Sequence, residues 1–452
     1  VHDIEIAIKE KYMKNILKKL FCIAMLGFVM IGLNACGTEN TTADRETKNT
    51  DKIEASGSDD SENITLEMWT LLDQTDEYSE AWEKAISDYE AAHPNIKINR
   101  SQYEGEAYKI KLKSAVAADE LPDIFFSWAG GFSRPFIEAG KMLPLDDTYE
   151  AYASDIEKSK LDSSVYDDVL YGTSIGSQMS LLYYNKAMFE ENGLSVPETY
   201  EDLLEVCQKF IDKGITPFAI SAKDTWGLAV FYDNLALKTI GKDDVVNTIT
   251  RNGGSFKKEG FQEAAEKFVG LVDIGAFLDN ASSLNTDEAY QYFVNGTCPM
   301  WLMIDSLGNT VLSSMENPDD YGVVRFPVIN DNAAITDVMG GSGEIYCVFA
   351  GTRYPDEAAN AVFEIIKNVA KYSQESGIAM SIWNGDALDE DSPEYLKMNQ
   401  EFKSELTSSM LWWDTTMTAD DAQEYLGLLQ ELYTGNITSE EFCDAMENQL
   451  TK

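Results

Sequence analysis

Histidine, the side chain best suited to acid–base work near neutral pH, occurs twice in this chain, as His2 and His93. His93 lies in AAHPN, just ahead of Pro94, where a helix has to stop. A Ser-His-Asp or Cys-His nucleophilic centre would rest on that one imidazole, which argues against hydrolases of those classes. In the body of the chain, Cys207, Cys298, Cys347 and Cys443 sit in apolar contexts without CxxC spacing or a nearby His. Core packing is expected of them, with no disulfide, metal site or cofactor. Carboxylates are abundant: 78 Asp and Glu against 35 Lys and Arg give a formal charge of −43. That balance describes a solvated exterior and argues against a nucleic-acid partner, which needs a positive patch. Two carboxylates about 5 to 9.5 Å apart would suffice for glycoside hydrolysis, and composition leaves that chemistry open.

The elements that must position such residues alternate along the chain. ITLEMW puts Ile64, Leu66 and Met68 on one side, the period of a half-buried strand. In DEYSEAWEKAISDYEAAHP, Tyr78, Trp82, Ala85, Ile86 and Tyr89 recur at helical spacing and Pro94 closes the helix. IKIN predicts a strand, residues 108–119 a helix and DIFF at 123–126 a third strand. Such an order implies a parallel, doubly wound sheet, on which ligands bind beyond the strand carboxyl ends. The loops after Met68 and after Phe126 are marked accordingly.

A second α/β set follows. Thr199 with Asp202 resembles a capping box, opening a helix through Leu203, Val206, Cys207, Phe210 and Ile211 that Gly214 stops. PFAIS at 217–221 reads as a strand, 261–272 as an amphipathic helix and MWLMI at 300–304 as a buried strand. GVVRFPVI and EIYCVFA are β-like, and a helix runs over about 356–370. Ser439 is placed to cap a last helix that buries Phe442, Cys443, Met446 and Leu450.

Four stretches carry a family resemblance: LPDIFFSWAGGFSRPFIEAGKMLPLDD, SLLYYNKAMFEENGLSVPETYEDLLEVCQKF, FVNGTCPMWLMIDSLGN and GGSGEIYCVFAGTRYPDEAANAVFEII. In order and spacing they are similar to the extracellular solute-binding proteins of carbohydrate ABC importers, the group that includes maltose-binding protein. The likeness covers nearly all of residues 64–452. It implies an α/β, two-lobed periplasmic-binding-protein-like fold (type II), its lobes joined by a multi-segment hinge and closing on ligand by rigid-body motion. Residues 64–176 plus 343–373 would form lobe 1, and 177–342 plus 374–452 lobe 2. Crossings are expected near 175–180, 338–343 and 373–380. The GGSG at 340–343 suits a crossing independently, since glycine permits unusual φ/ψ and lets a ligand approach the backbone.

Sugar rings offer apolar C–H faces rimmed by hydroxyls. A sugar site therefore needs flat aromatic platforms with planar Asp, Glu, Asn or Gln groups that bridge hydroxyl pairs. Trp128 lies two residues beyond DIFF beside two glycines, and the resemblance brings a tryptophan to the ligand there. It likewise implies ligand contacts at Gln178 by the first crossing, at Asp224 and Trp226 in SAKDTWGL, and in MLWWDTT at Asp414 and at Trp412 or Trp413. Asp305 ends MWLMI, where an acid has either a cap to make or a ligand to hold. Beyond it the chain reads DSLGN where maltose-binding protein has a tryptophan, which removes one stacking platform. Trp69 at the end of the first strand, Gly341 in the hinge and Trp383 in SIWNGD complete the expected set.

Near the start, Met13 is followed by Lys14, Lys18 and Lys19 and by an uncharged run over residues 20–33, the layout of a secretory signal. The run is shorter than the roughly 20 residues a spanning helix needs. LNAC at 33–36 resembles the lipobox of bacterial lipoproteins. That implies that residues 1–35 are leader and signal peptide, with 1–12 upstream of a start at Met13, and that Cys36 is acylated, as with palmitate. Residues 36–63 would be a tether, nearly devoid of apolar side chains and reaching roughly 30 Å.

Together these readings predict a monomeric receptor, lipid-anchored through Cys36 on the extracellular face of the cell membrane. It would capture an oligosaccharide for the permease subunits of an ABC importer and perform no chemistry itself. The alternatives are a surface glycoside hydrolase, a receptor for a peptide or other polar solute, and a protein that reports bound ligand to a sensor kinase.

Overall fold

Ile64, Leu66 and Met68 alternate with more exposed neighbours and are all buried, and the face they form seeds the first of two sheets. The computed structural model describes residues 63–452 except 74, 386, 387 and 389. The expected leader, Cys36 and the tether up to residue 62 lie outside the described residues. Among the described residues, no helix is long and apolar enough to cross a membrane.

The chain begins β1 (Ile64–Leu71), α1 (Asp76–Ala92), β2 (Ile96–Tyr103), α2 (Gly105–Ala118) and β3 (Ile124–Trp128). β1 runs parallel to both neighbours, with Ile64 opposite Ile96 and Met68 opposite Ile124. The α1 helix starts where the Thr75 hydroxyl accepts from the Tyr78 N–H, buries Trp82, Ala85 and Tyr89, and ends at His93. Its apolar spacing thus does what a period of 3.6 demands, packing one face on the sheet.

The second set comprises β4 (Gln178–Asn185), α3 (Tyr200–Ile211), β5 (Phe218–Ala219), α4 (Trp226–Ile240), α5 (Glu259–Asp273), α6 (Thr286–Val294), β6 (Met300–Ile304), α7 (Asp305–Ser313), β7 (Tyr321–Val324) and β8 (Asp337–Gly341). The chain then supplies β9 (Glu344–Val348) and α8 (Pro355–Glu375) to the first set. It ends with α9 (Glu394–Ser404), β10 (Ser408–Met410), α10 (Trp413–Thr416), α11 (Ala419–Tyr433) and α12 (Ser439–Leu450). The first sheet has the order β9-β3-β1-β2, with β9 antiparallel to β3. The second has the order β10-β8-β4-β6-β5, with β7 also on β4, and β4 runs antiparallel to β6, β7 and β8. Both sheets are therefore mixed, and the parallel order expected for the first holds for β2-β1-β3.

Three local expectations change, the first being that the strand expected through GVVRFPVI stops at Val324. PFAIS contributes only Phe218 and Ala219 to a ladder. The cap of α12 is Thr438, not Ser439: its hydroxyl accepts from the Glu441 N–H while the Glu441 carboxylate accepts from the Thr438 N–H. The Thr199–Asp202 box stands as read.

Each sheet carries its own core. One gathers Leu66, Trp82, Phe125, Cys347 and Ile366; the other gathers Leu182, Phe231, Phe268, Trp301 and Trp413. All four cysteines of the folded part are buried and unpaired. The chain leaves the first core after Ile175 to enter the second at Met179, and it returns between Met339 and Ile345. It crosses again between Ala370 and Met380, and Trp383 then turns back into the first core. The crossings lie side by side: Gly341 pairs with Gln178, and Gly176 bridges to Ser381. Gly341 holds φ of 137°, a backbone state that residues with a Cβ avoid. This arrangement is the two-lobed α/β fold, with the cleft where strand ends of both sheets converge.

Candidate functional site

Between the two cores lies a cavity of about 340 Å³, within the size range of small-molecule sites. Its first wall is made from the carboxyl ends of β1 and β3. Asp73, in the loop after β1, receives Arg100 as a fork: Nη1 donates to Oδ2 at 2.9 Å and Nη2 to Oδ1. Gln102 Nε2 adds a third donor at 2.6 Å, and the guanidinium lies 4.1 Å over the Trp82 ring. Two parallel bonds and a ring underneath fix the guanidinium plane, as bidentate pairs do. Trp128, at the end of β3, is braced edge-to-face by Phe126 at 4.9 Å and Phe132 at 5.1 Å, with the Lys109 ammonium 5.2 Å over it.

The second wall is set by helix starts. Trp226 opens α4, and just before it Asp224 Oδ2 accepts from the Thr286 N–H at 2.7 Å and hydroxyl at 3.0 Å, capping α6. Asp305 opens α7, accepts from the Met179 N–H at 3.0 Å and pairs with Lys403 at 2.9 Å. Gln178 Nε2 donates to the Ser306 hydroxyl at 2.9 Å. Trp413 is fully buried edge-on against Tyr232, and its backbone N–H donates to Asp233 Oδ2 at 3.0 Å. Asp233 Oδ1 accepts from the Tyr425 hydroxyl at 2.5 Å. One tryptophan thus anchors the turn that leaves Trp412 and Asp414 on the cavity wall.

Of the residues expected from sequence, Trp128, Gln178, Asp224, Trp226, Asp305, Trp412 and Asp414 line this one cavity. Trp413, Trp69, Trp383 and Gly341 do not. Trp413 belongs to the second core. Trp69 faces the other side of β1, beside Tyr103 at 5.5 Å with the Lys111 ammonium 3.9 Å over its ring. Trp383 is buried, its indole N–H donating to the Ser174 carbonyl at 3.0 Å. Gly341 packs against Leu411, and Gly343 takes its place on the wall. Sequence reasoning missed Asp73, Arg100, Lys403 and Glu344, and it assigned Tyr78 and Trp82 to the core alone although both reach the cavity. Glu344 directly follows GGSG at the crossing, a signal that was open to reading.

Residues 73–372, well over half of the chain, match the family of bacterial extracellular solute-binding proteins. The chain belongs to that family. This solute-binding protein is similar to the multiple sugar-binding protein of Streptococcus mutans, 21% identical over 386 residues that cover 83% of this chain and 85% of that protein. It is also similar to an uncharacterised ABC transporter extracellular-binding protein of Pyrococcus horikoshii, 26% identical over 256 residues, covering 55% of this chain and 57% of that relative. A solved structure concerned with xylan utilization by the thermophilic bacterium Caldanaerobius polysaccharolyticus superposes with a TM-score of 0.81 at 31% identity. That match spans 85% of this chain and 100% of the other.

Burial shapes the charges of the solute-binding protein's cleft. It raises the carboxyls of Asp414 and Glu344 above their ordinary values, Asp305 adding to the effect at Glu344 while the Gln178 amide opposes it. Burial also pushes the Tyr78 hydroxyl up to about 12, with Glu344 reinforcing it. Asp233 is lifted well above the usual carboxylate range by burial, against the Trp413 N–H and Tyr425 hydroxyl that favour its ionised form. A raised carboxyl keeps its proton in the folded state at a pH where the unfolded chain, near 3.9, has released it. Its contribution to stability is therefore full below that unfolded value and is lost as pH rises through the folded one. Asp233→Asn keeps a planar acceptor that cannot ionise. The urea midpoint of the wild type should consequently fall more steeply than that of the variant as pH rises above about 4; identical slopes would contradict the assignment.

Proposed function

We propose that this protein is the capture component of an ABC importer, a receptor that closes its two lobes around an oligosaccharide and delivers it to a membrane permease. The observation that carries the reading is the placement of half-buried indoles on both sides of one cavity, Trp128 on the first wall and Trp226 and Trp412 on the second. Flat rings on opposing walls suit the apolar faces of successive sugars, while Gln178, Asp224 and Asp414 between them suit hydroxyls. The similarity to a protein named for multiple sugar binding, and to one from work on xylan utilization, supports a carbohydrate ligand. Closure follows if ligand contacts both walls at once, because only the closed state then gains the full set of contacts.

Capture without turnover is supported at three of the wall acids, though not at Glu344 and Asp414, which form no ion pair among the described residues. Asp73 is engaged by Arg100, Asp305 by Lys403 and Asp224 by the N-terminus of α6, so none of these is a free acid–base partner. The receptor acts as a monomer, held near its permease by acylation of Cys36 and the tether that follows.

Calorimetry against a panel of neutral oligosaccharides should find a binder that also perturbs tryptophan fluorescence. Trp226→Ala and Trp412→Ala should each weaken it by about tenfold, since a well-placed aromatic contact is worth about 0.5 to 1.5 kcal/mol beyond its buried area. Tight binding of a peptide or polyamine with no glycan bound would sink the reading. For the anchor, a clickable fatty acid should label the protein in cells and Cys36→Ser should abolish the label; labelling that survives the substitution would refute acylation at this site.

A further inference from the structure

Each positively charged side chain on the cavity wall already has a carboxylate partner. Arg100 forks onto Asp73, Lys403 lies 2.9 Å from Asp305 and Lys109 lies 3.0 Å from Glu106. The converse does not hold for the acids. Glu344 and Asp414 line the same cavity, both half-buried, and neither forms an ion pair among the described residues. Glu344 stands at the crossing between the sheets, directly after Gly343, and Asp414 follows the anchored Trp413 on the second wall. Burial raises both carboxyls, and the Lys109 ammonium opposes the rise at Asp414. A sugar carboxylate entering this space would lose its hydration, find every cation taken and lie among acids of its own sign. A hydroxyl or an ammonium would instead donate to groups that in ionised form can only accept.

We infer that the cavity sorts oligosaccharides by charge, accepting uncharged or amine-bearing chains and rejecting those that carry carboxylates, with Glu344 and Asp414 as the residues that enforce the rejection. The inference rests on the oligosaccharide reading and narrows its substrate class. Specificity of this kind is built from a repulsive element added to an attractive site.

The test takes the neutral oligosaccharide that binds best and prepares three forms differing only at the reducing end: the alditol, the aldonate and the amine made by reductive amination. Calorimetry on the full chain at about 20 mM and about 150 mM salt should rank the amine equal to or tighter than the alditol. The aldonate should be weaker than the alditol by on the order of tenfold or more, the size expected of one partly screened like-charge contact. Added salt should shrink the gap. Glu344→Gln and Asp414→Asn should each close part of it by improving aldonate binding relative to alditol. An aldonate that binds as tightly as the alditol at both salt concentrations overturns the charge inference alone, and it does so on the wild-type protein even if a variant fails to fold. Failure of every neutral oligosaccharide to bind overturns the oligosaccharide reading and this inference with it.

Discussion

Where the chain passes between its two sheets, backbone meets backbone with no room for side chains. Gly340 lies opposite Met179 and Gly341 opposite Gln178, and a Cβ on Gly340 would collide with the Gln178 carbonyl. That close register holds the crossing segments side by side, and the cleft is the space left between the cores they join. Its walls inherit their positions from this joint: Gln178 begins β4 as the chain enters the second sheet, and Glu344 begins β9 as it returns to the first. A second backbone contact closes the far end of the arrangement. The Gly131 N–H donates to the Thr415 carbonyl at 2.9 Å, and a Cβ at Gly131 would run into the Met417 carbonyl. It ties the loop beyond Trp128 to the turn that carries Trp412 and Asp414.

Around this frame, charge is placed at the cleft and used to hold geometry. The Asp73–Arg100 pair is almost fully desolvated, its side chains 4% and 9% exposed. Pairs of this kind add little net stability but leave few alternative arrangements once formed. Asp305 joins the start of β4 to α9 through the Met179 N–H and Lys403. Asp233 does the same for α4, α10 and α11. In each case an acid beside the cavity satisfies backbone, hydroxyl or cationic donors from a different element, so separate elements are tied together where a ligand would touch. Pre-organisation of this sort lowers the ordering cost of binding.

The fold was legible wherever periodicity reported burial. The β1 alternation, the α1 stripe and the Thr199 box each depend on residues within a few positions of one another, and each formed as read. The site was legible in part. Trp128 ends β3, where topology points to the cleft, and Asp224 and Trp226 at the start of α4 were reached through the family resemblance. Trp412 and Trp413 are adjacent, and nothing local says which faces inward; the choice is made by Asp233 and Tyr232, far away in the chain. Trp69 was misplaced against its own strand's parity, since Ile64, Leu66 and Met68 already commit the odd positions to the other face. Arg100 and Lys403 were missed because an isolated cation in sequence gives no sign of its partner.

The central claim is that two lobes close over an oligosaccharide held between Trp128 on one side and Trp226 and Trp412 on the other. Small-angle X-ray scattering on the protein with and without a saturating oligosaccharide tests it most directly. The account predicts a smaller radius of gyration in the bound state. An unchanged scattering profile under conditions where calorimetry records full occupancy would contradict it.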